Sequence, residues 1–338
     1  MHRTAVVILN WNGAKHLRRF LPSVIDNTPA EVRIIVADNG STDDSVEILA
    51  GEFPSVEVIR LDCNYGFAEG YNRVLEQVDA EYCVLLNSDV ETPEGWLEPL
   101  VARLDADESV AAVAPKLLWS EDHKQFEYAG ASGGFIDFLG YPFCRGRIMK
   151  CVEQDCGQYD DAREVFWASG AAFCCRLEVF KALGGFASEF FAHMEEIDLC
   201  WRMQLAGYRI EIEPHSRVFH YGGATLAVDS PNKIFLNHRN NLAMLYRCAT
   251  PWQRCVVAVV RPLLDALAAL SYAVKGNLRG VWAVARAYGE FLRWHKQLSA
   301  ERKQVRSTAK LTTLPTTIYR GSIVLRYAFG KRKFEKMM

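Results

Sequence analysis

The strongest constraint in this chain is a pattern repeated four times within the first 89 residues: a short β-branched run ends in a polar cluster. Residues 5–9, 32–37, 56–61 and 82–86 read as strands, and a fifth run follows at 110–118. After the first comes Asn10-Trp11-Asn12-Gly13, and after the second Asp38-Asn39-Gly40-Ser41-Thr42-Asp43-Asp44. After the third comes Asn64-Tyr65-Gly66-Phe67-Ala68, and after the fourth Asn87-Ser88-Asp89. The segments between carry helical period: Leu17, Phe20, Leu21, Val24 and Ile25 make one apolar face. Thr92-Pro93 reads as an N-cap followed by proline at the first helical position. Alternation of this kind predicts an α/β fold, a mostly parallel sheet flanked by helices. Such sheets bind ligands beyond the carboxyl ends of their strands, where one molecule could meet all four clusters. Each cluster also has a plainer reading. Asp38 and Asp43 suit turns and helix caps, Trp11 suits a buried position, and Asp89 could cap the loop before Thr92.

The chain is longer than one typical domain at 338 residues, and half of them are apolar, enough for a substantial core. We expect residues 1–250 to form the main domain, divided near residue 118. Beyond that point, 119–165 reads as irregular and a mixed region runs from Val165 to about Thr225. Residues 251–338 read as a helical, basic extension. From residue 301 onward ten Lys and Arg face only Glu301 and Glu335, a surplus of +8 in a chain whose net charge is −2. That asymmetry points to an anionic surface as partner for the tail, and no nucleic acid is expected. Residues 252–296 are apolar and helical, but Arg261, Pro262 and Asp265 interrupt them. Arg254, Arg261, Asp265 and Tyr272 recur on one helical face, so the segment is expected to lie on a membrane rather than cross it. Packing on the main domain, or a homodimer, would satisfy the same pattern. The N-terminal apolar run lacks a small-residue cleavage site and reads as a strand, not a signal peptide. Ten cysteines without a C-x-x-C pair fit reduced thiols, although Cys144, Cys151 and Cys156 lie close enough to raise zinc or a disulfide. The expected location is cytoplasmic, peripheral on the inner face of the cell membrane.

No G-x-G-x-x-G follows the first strand and no G-x-x-x-x-G-K-[ST] occurs, so the phosphate-cradling glycines of the dinucleotide fold and the P-loop are missing. A bound nucleotide diphosphate would need a cation, and Asp89 is placed to hold Mg²⁺ or Mn²⁺.

The runs V-V-I-L-N-W-N-G, A-D-N-G-S-T-D-D-S, N-Y-G-F-A-E-G-Y-N, L-L-N-S-D and F-F-A-H-M-E-E-I-D-L-C-W-R, in this order, resemble the inverting family-2 glycosyltransferases of the GT-A fold. The likeness spans about residues 4–250, is closest to bacterial rhamnosyltransferase-like members, and implies that 1–118 is the nucleotide-binding half and 119–250 the acceptor and catalytic half. It implies transfer of a sugar from a pyrimidine nucleotide-diphospho-sugar to a glycan or lipid-linked acceptor, with a divalent metal. By position, Asp38 resembles the carboxylate that accepts the pyrimidine N3–H, and Trp11 the aromatic that stacks on the base. Asn64, Asn87, Asp89 and Glu195 are expected with them among the substrate-binding residues. Asn87-Ser88-Asp89 resembles the D-x-D element, with Asn87 in place of its first acid and Asp89 as metal ligand. Glu195-Glu196 stands where the family commonly has Glu-Asp, so Glu196 takes the place of the catalytic base beside Glu195. His220 resembles a late histidine that completes the metal site in some members.

Inverting transfer needs one base to deprotonate the acceptor hydroxyl, so a single carboxylate suffices. Glu195, Glu196 and Asp198 also suit a helix start through the macrodipole alone, and Asp198 should pair with Arg202 four residues on. Arg239-Asn240-Asn241 fits either substrate contact or domain packing. Two alternatives compete. A nucleotidyltransferase would want a basic Gly-rich loop after the first strand, where only Lys15 occurs. A catalytically degenerate scaffold or glycan-binding subunit would lack metal-dependent nucleotide binding.

Overall fold

A computed structural model describes residues 2–222, 230–335 and 337. Thr225, at the edge of the mixed region, and Lys336 of the basic tail lie outside them. The N-terminal half runs β1 (His2–Asn10), α1 (Ala14–Asp26), β2 (Arg33–Asn39), α2 (Ser45–Glu52), β3 (Glu57–Leu61), α3 (Gly66–Gln77) and β4 (Ala80–Asn87). Then come β5 (Val90–Glu91), α4 (Glu98–Ala106), β6 (Val110–Trp119) and β7 (Asp122–Phe126). Short strands follow: β8 (Gly134–Asp137), β9 (Pro142–Cys144), β10 (Arg147–Ile148), β11 (Cys151–Val152) and β12 (Arg163–Val165). The rest is β13 (Ala172–Arg176), α5 (Leu177–Ala182), α6 (Glu195–Leu205), β14 (Arg209–His220), α7 (Pro231–Cys248), α8 (Pro251–Val274), α9 (Leu278–Arg293), α10 (His295–Thr308), β15 (Ile318–Tyr319) and α11 (Ile323–Ala328).

The main sheet has the order β12-β14-β6-β13-β4-β1-β2-β3, with β5 and β7 as branches. Strands β3, β2, β1 and β4 are parallel, as the alternation requires. The other half is mixed: β13 enters antiparallel between β4 and β6, while β14 runs parallel to β6. The crossover through α4 leaves a gap beside β4, and the apolar run of β13 fills it. Helix α1 packs by the predicted stripe, with Leu17, Phe20, Leu21 and Val24 buried and Ile25 partly so. Thr92 does not cap a helix. Its hydroxyl donates to Ser23 O, and Gly95 at positive φ turns the chain to seat the buried Trp96, so α4 starts only at Glu98.

Residues 119–165 are not structureless. Strands β11-β10-β9-β8-β15 make a second sheet whose last member is contributed by the C-terminal tail. Phe334 packs there against Phe135, Phe143 and Tyr159. The fully buried Lys116 of β6 is held by Asp155 at 2.9 Å and by Asp160. All ten cysteines are free thiols. One helix among those described, α8, is long and apolar enough to cross a membrane by length and composition, since it runs unbroken through Pro262.

Candidate active site

The register of the parallel half sets Asn10 beside Asp38 and Leu9 beside Asn87, so the predicted clusters gather on one edge of the sheet. Asp38 is buried: its carboxylate accepts from Ser41 N at 3.1 Å and lies 3.4 Å from Asn10 Nδ2. Trp11, just past the strand end, is exposed. Asp43 serves architecture, accepting from Ala14 N across the loop and from Ser45 N. Asn64 does likewise, its carbonyl receiving Gly66 N at 2.8 Å and Asn39 Nδ2 at 3.1 Å to shape the start of α3.

At the end of β4 the buried Asp89 sits 3.1 Å from His220 Nε2, with Asn87 Nδ2 3.4 Å from the same nitrogen. The other ring nitrogen of His220 is 3.3 Å from Glu127 Oε1. Burial opposes charge on both Asp89 and His220, but the pair outweighs it. His220 pulls the Asp89 carboxyl below the usual range, while Asp89 and Glu127 push the imidazole up to about 10. β14 brings His220 here because its last residue pairs with Val90.

Could this end hold a divalent cation? No group of three or more His, Cys, Asp or Glu in ligand arrangement occurs among the described residues. Asp89 offers a carboxylate oxygen, whereas His220, held protonated between Asp89 and Glu127, offers an imidazole nitrogen only once a metal displaces its proton. A Mg²⁺ or Mn²⁺ bound with substrate phosphates needs no larger protein set. Asp89 suits such an ion as it stands, and His220 would join it on losing its proton.

The second pole is the start of α6. Glu195 is buried and Glu196 half-buried, and each has one carboxylate oxygen, Oε2, buried without a partner. Burial raises the Glu196 carboxyl to about 7; it raises Glu195 well above the usual range, with Glu196 adding to the effect. Burial thus pushes both adjacent acids toward the neutral form, and their closeness opposes two charges at once.

The loop that delivers them is strained. Phe191, His193 and Met194 all have φ between 64° and 75°, a left-handed region costing about 1–3 kcal/mol for each such residue. It is held from two sides. Asn240 Nδ2 of α7 faces three of its carbonyls, those of Phe190, Ala192 and His193, at 2.7–3.1 Å, and Arg239 donates to Glu189 O and Phe190 O. From the donor half, Phe67 N and Ala68 N donate to Phe191 O at 2.6 and 3.2 Å. A side chain at Gly66, where φ is +78°, would strike the Phe191 ring at 2.5 Å. The glycine therefore permits the close approach of loop and α3. Asp198 pairs with Arg202 at 2.8 Å, as predicted.

The buried Cys144 of β9 lies within electrostatic reach of an acid from each pole. Burial raises its thiol, Arg147 opposes this, and Glu127 and Glu196 both act on it from nearby. Sequence reasoning did not find Glu127, a lone acid within the segment read as irregular. It did single out Asn240, without a role.

Residues 5–146 match the sequence model of glycosyl transferase family 2. The N-acetylglucosaminyl-diphospho-decaprenol L-rhamnosyltransferase of Mycobacterium tuberculosis is 26% identical over 265 residues, covering 74% of this chain and 86% of that protein. The pre-mycofactocin glycosyltransferase of the same organism is 29% identical over 259 residues, 69% of this chain and 49% of the relative. Among solved structures, GalNAc-T7 with UDP, GalNAc and Mn²⁺ has a TM-score of 0.61 at 18% identity, covering 78% of this chain and 51% of that one. TarS 1–349 of S. aureus in complex with UDP has a TM-score of 0.57 at 15% identity, covering 90% and 87%. At those identities the structures establish a shared fold, that of the GT-A glycosyltransferases.

Proposed function

Taking the chain as a glycosyltransferase with a family-2 domain on a GT-A fold, we propose that it transfers a hexosyl or deoxyhexosyl group, with inversion, from a UDP- or dTDP-sugar. The acceptor would be a glycan or lipid-linked sugar in cell-surface polysaccharide synthesis, met at the inner face of the cell membrane. The observation that carries this reading is Glu196: a carboxylate raised to about 7, with one buried oxygen unpartnered, at the end of a loop clamped against the donor half. A scaffold has no use for an acid held in that state.

In this reading Trp11 stacks on the base, and Asp38 accepts the pyrimidine N3–H when the nucleotide displaces its weak contact to Asn10. Asp89 and, once its proton is displaced, His220 would hold a divalent ion, which would supply positive charge against the leaving diphosphate. Glu196 takes the proton of the acceptor hydroxyl as that oxygen attacks the anomeric carbon. The C–O bond to the diphosphate breaks on the opposite face, and the configuration inverts. One base is enough, whereas a retaining glycosidase uses two carboxylates in partnership. Glu195, kept neutral, adds no second negative charge beside the base.

Thermal stabilisation by UDP, dTDP and GDP, with and without Mn²⁺, tests the donor side. Stabilisation by the pyrimidine nucleotides that needs the metal is expected, and Asp38→Ala should weaken it by about 1–3 kcal/mol, the scale of one buried polar group left unmatched. Equal stabilisation by GDP would remove the pyrimidine assignment. No metal-dependent stabilisation by any nucleotide would return the scaffold reading.

A further inference from the structure

Helix α8 is inside out. Its buried residues are Gln253, Val257, Arg261 and Asp265, one stripe at four-residue spacing that includes its central charges. Its exposed large apolar residues are Trp252, Val259, Leu263, Leu267, Leu270 and Val274, between 59% and 81% accessible. A surface helix of a globular protein does the reverse. The inner stripe is firmly seated: Gln253 Nε2 donates to Phe138 O at 2.8 Å, and Arg261 Nη1 to Leu139 O at 2.8 Å and to Asn241 Oδ1 at 2.5 Å. Asp265 accepts from Tyr288 at 2.7 Å and lies 3.4 Å from His238.

We infer that the outward face of α8, together with the turn into α9, seats on the surface of a lipid bilayer and lies in its plane. Twenty-four residues at 1.5 Å rise give an apolar ridge about 36 Å long, far beyond the scattered apolar residues of an ordinary surface. Charge decides between lipid and a second copy of the chain. Lys275, Arg279, Arg286 and Arg293 are exposed along this helical pair, with Lys296 just beyond it in α10, whereas the pair's acids are the buried Asp265 and the partly covered Glu290, which pairs with Arg239. Two copies face to face would bring like charges together; an anionic bilayer would attract them. Trp252 and Trp282, both exposed, are side chains suited to the interface. Crossing the bilayer is disfavoured, because α8 would have to leave its seat and carry Arg261 and Asp265 into hydrocarbon. The purpose of docking, access to a lipid-linked acceptor, rests on the proposed function; the docking itself does not.

The test is co-sedimentation of the full chain with vesicles of phosphatidylcholine alone and with phosphatidylglycerol added, in the absence of donor and acceptor. Binding is expected to both, tighter with the anionic lipid, with only that increment lost in high salt. In the triple variant Leu263→Glu, Leu267→Glu, Leu270→Glu, vesicle affinity should fall at least about tenfold, since one fully buried leucine is already worth about that factor. Its melting temperature should be unchanged, because these side chains touch water in the free protein. A second variant, Val259→Ser with Val274→Ser, should weaken binding less without adding charge. Binding that survives both variants, or no binding by the intact chain, overturns the inference. So does a stable dimer that the triple variant dissociates. Transfer to a soluble acceptor analogue should persist in the triple variant, so failure of docking and failure of the transferase reading remain distinguishable.

Discussion

The two poles of the site are built in opposite ways. At the donor pole the polar side chains stand at the ends of strands and most carboxylates are matched within the protein, although Asn10 Oδ1 is buried without a hydrogen bond. Asp38 is bonded to Ser41 N, Asn64 to Gly66 N, and Asp89 is paired with His220. At the base pole Glu195 and Glu196 each keep a buried oxygen without a partner, and the loop that carries them holds three non-glycine residues at positive φ. The first pole is stable by itself and waits for a ligand to exchange partners. The second is costly by itself and persists because α3 and α7 hold it. Strand-end chemistry therefore tolerates change better than loop chemistry, and the substitutions below probe that difference.

The largest effect should come from Glu196→Gln, which keeps shape and removes the base. Turnover is expected to fall by roughly 10² to 10⁴, while nucleotide binding, measured by titration calorimetry, stays as it was. Glu195→Gln imitates the neutral form that burial already favours and should cost far less. If the two variants behave the other way round, the base is Glu195 and the assignment is wrong by one residue.

Next comes the clamp. Asn240→Asp replaces an amide that faces three carbonyls with a carboxylate that cannot donate to them. A displacement of the loop by about 1 Å is enough for a loss near 10²-fold, so kcat should drop by roughly 10- to 100-fold with donor affinity little changed. The melting temperature should also fall, because the loop's carbonyls lose bonds worth about 1–3 kcal/mol in all. A protein that is merely less stable, with full kcat per folded molecule, would make Asn240 a packing residue and erase the contrast between the poles.

Legibility followed the same division. The donor pole was readable because strand ends and helix periods are local patterns: the stripe Leu17, Phe20, Leu21, Val24 says which way α1 faces, and Asn10, Asp38 and Asn87 follow from register. Glu127 reaches His220 only because β7 folds back on β6, a contact between residues 93 positions apart with no local mark. Thr92 carried a correct-looking cap signal, overridden by burial of Trp96. Helix α8 was the instructive half-success. Its polar stripe was visible as a shared face, but periodicity gives the face and not its direction, and Arg261 and Asp265 point inward. The tail strand β15 pairs with β8 across some 180 residues, which two residues of sequence cannot announce.

The smallest expected effect is the most diagnostic of how the base pole is tuned. Burial is the leading cause that raises Glu196 to about 7; backbone hydrogen bonds from its own amide and from Ile197 pull the other way and do not win. A base acts only as the carboxylate. The raised value therefore means that activity is lost as pH falls through about 7 and is nearly complete a unit above it. Between pH 7 and pH 8 kcat should rise only about twofold, the fraction of a single titrating group that remains to be ionised. Between pH 6 and pH 7 it should rise about fivefold on the same curve. At the donor pole Asp89 is held ionised by His220, so nucleotide binding should show no limb near 7, only the steady gain with pH that displacement of the His220 proton by the metal would bring. Measuring kcat and nucleotide Kd across pH 5.5 to 8.5 separates the two. A limb in kcat near pH 4 to 5 would mean that Glu196 is solvated in the working enzyme and the buried, unpartnered carboxylate does not survive substrate binding. A limb shared by kcat and Kd would mean that the titrating group belongs to the donor pole instead.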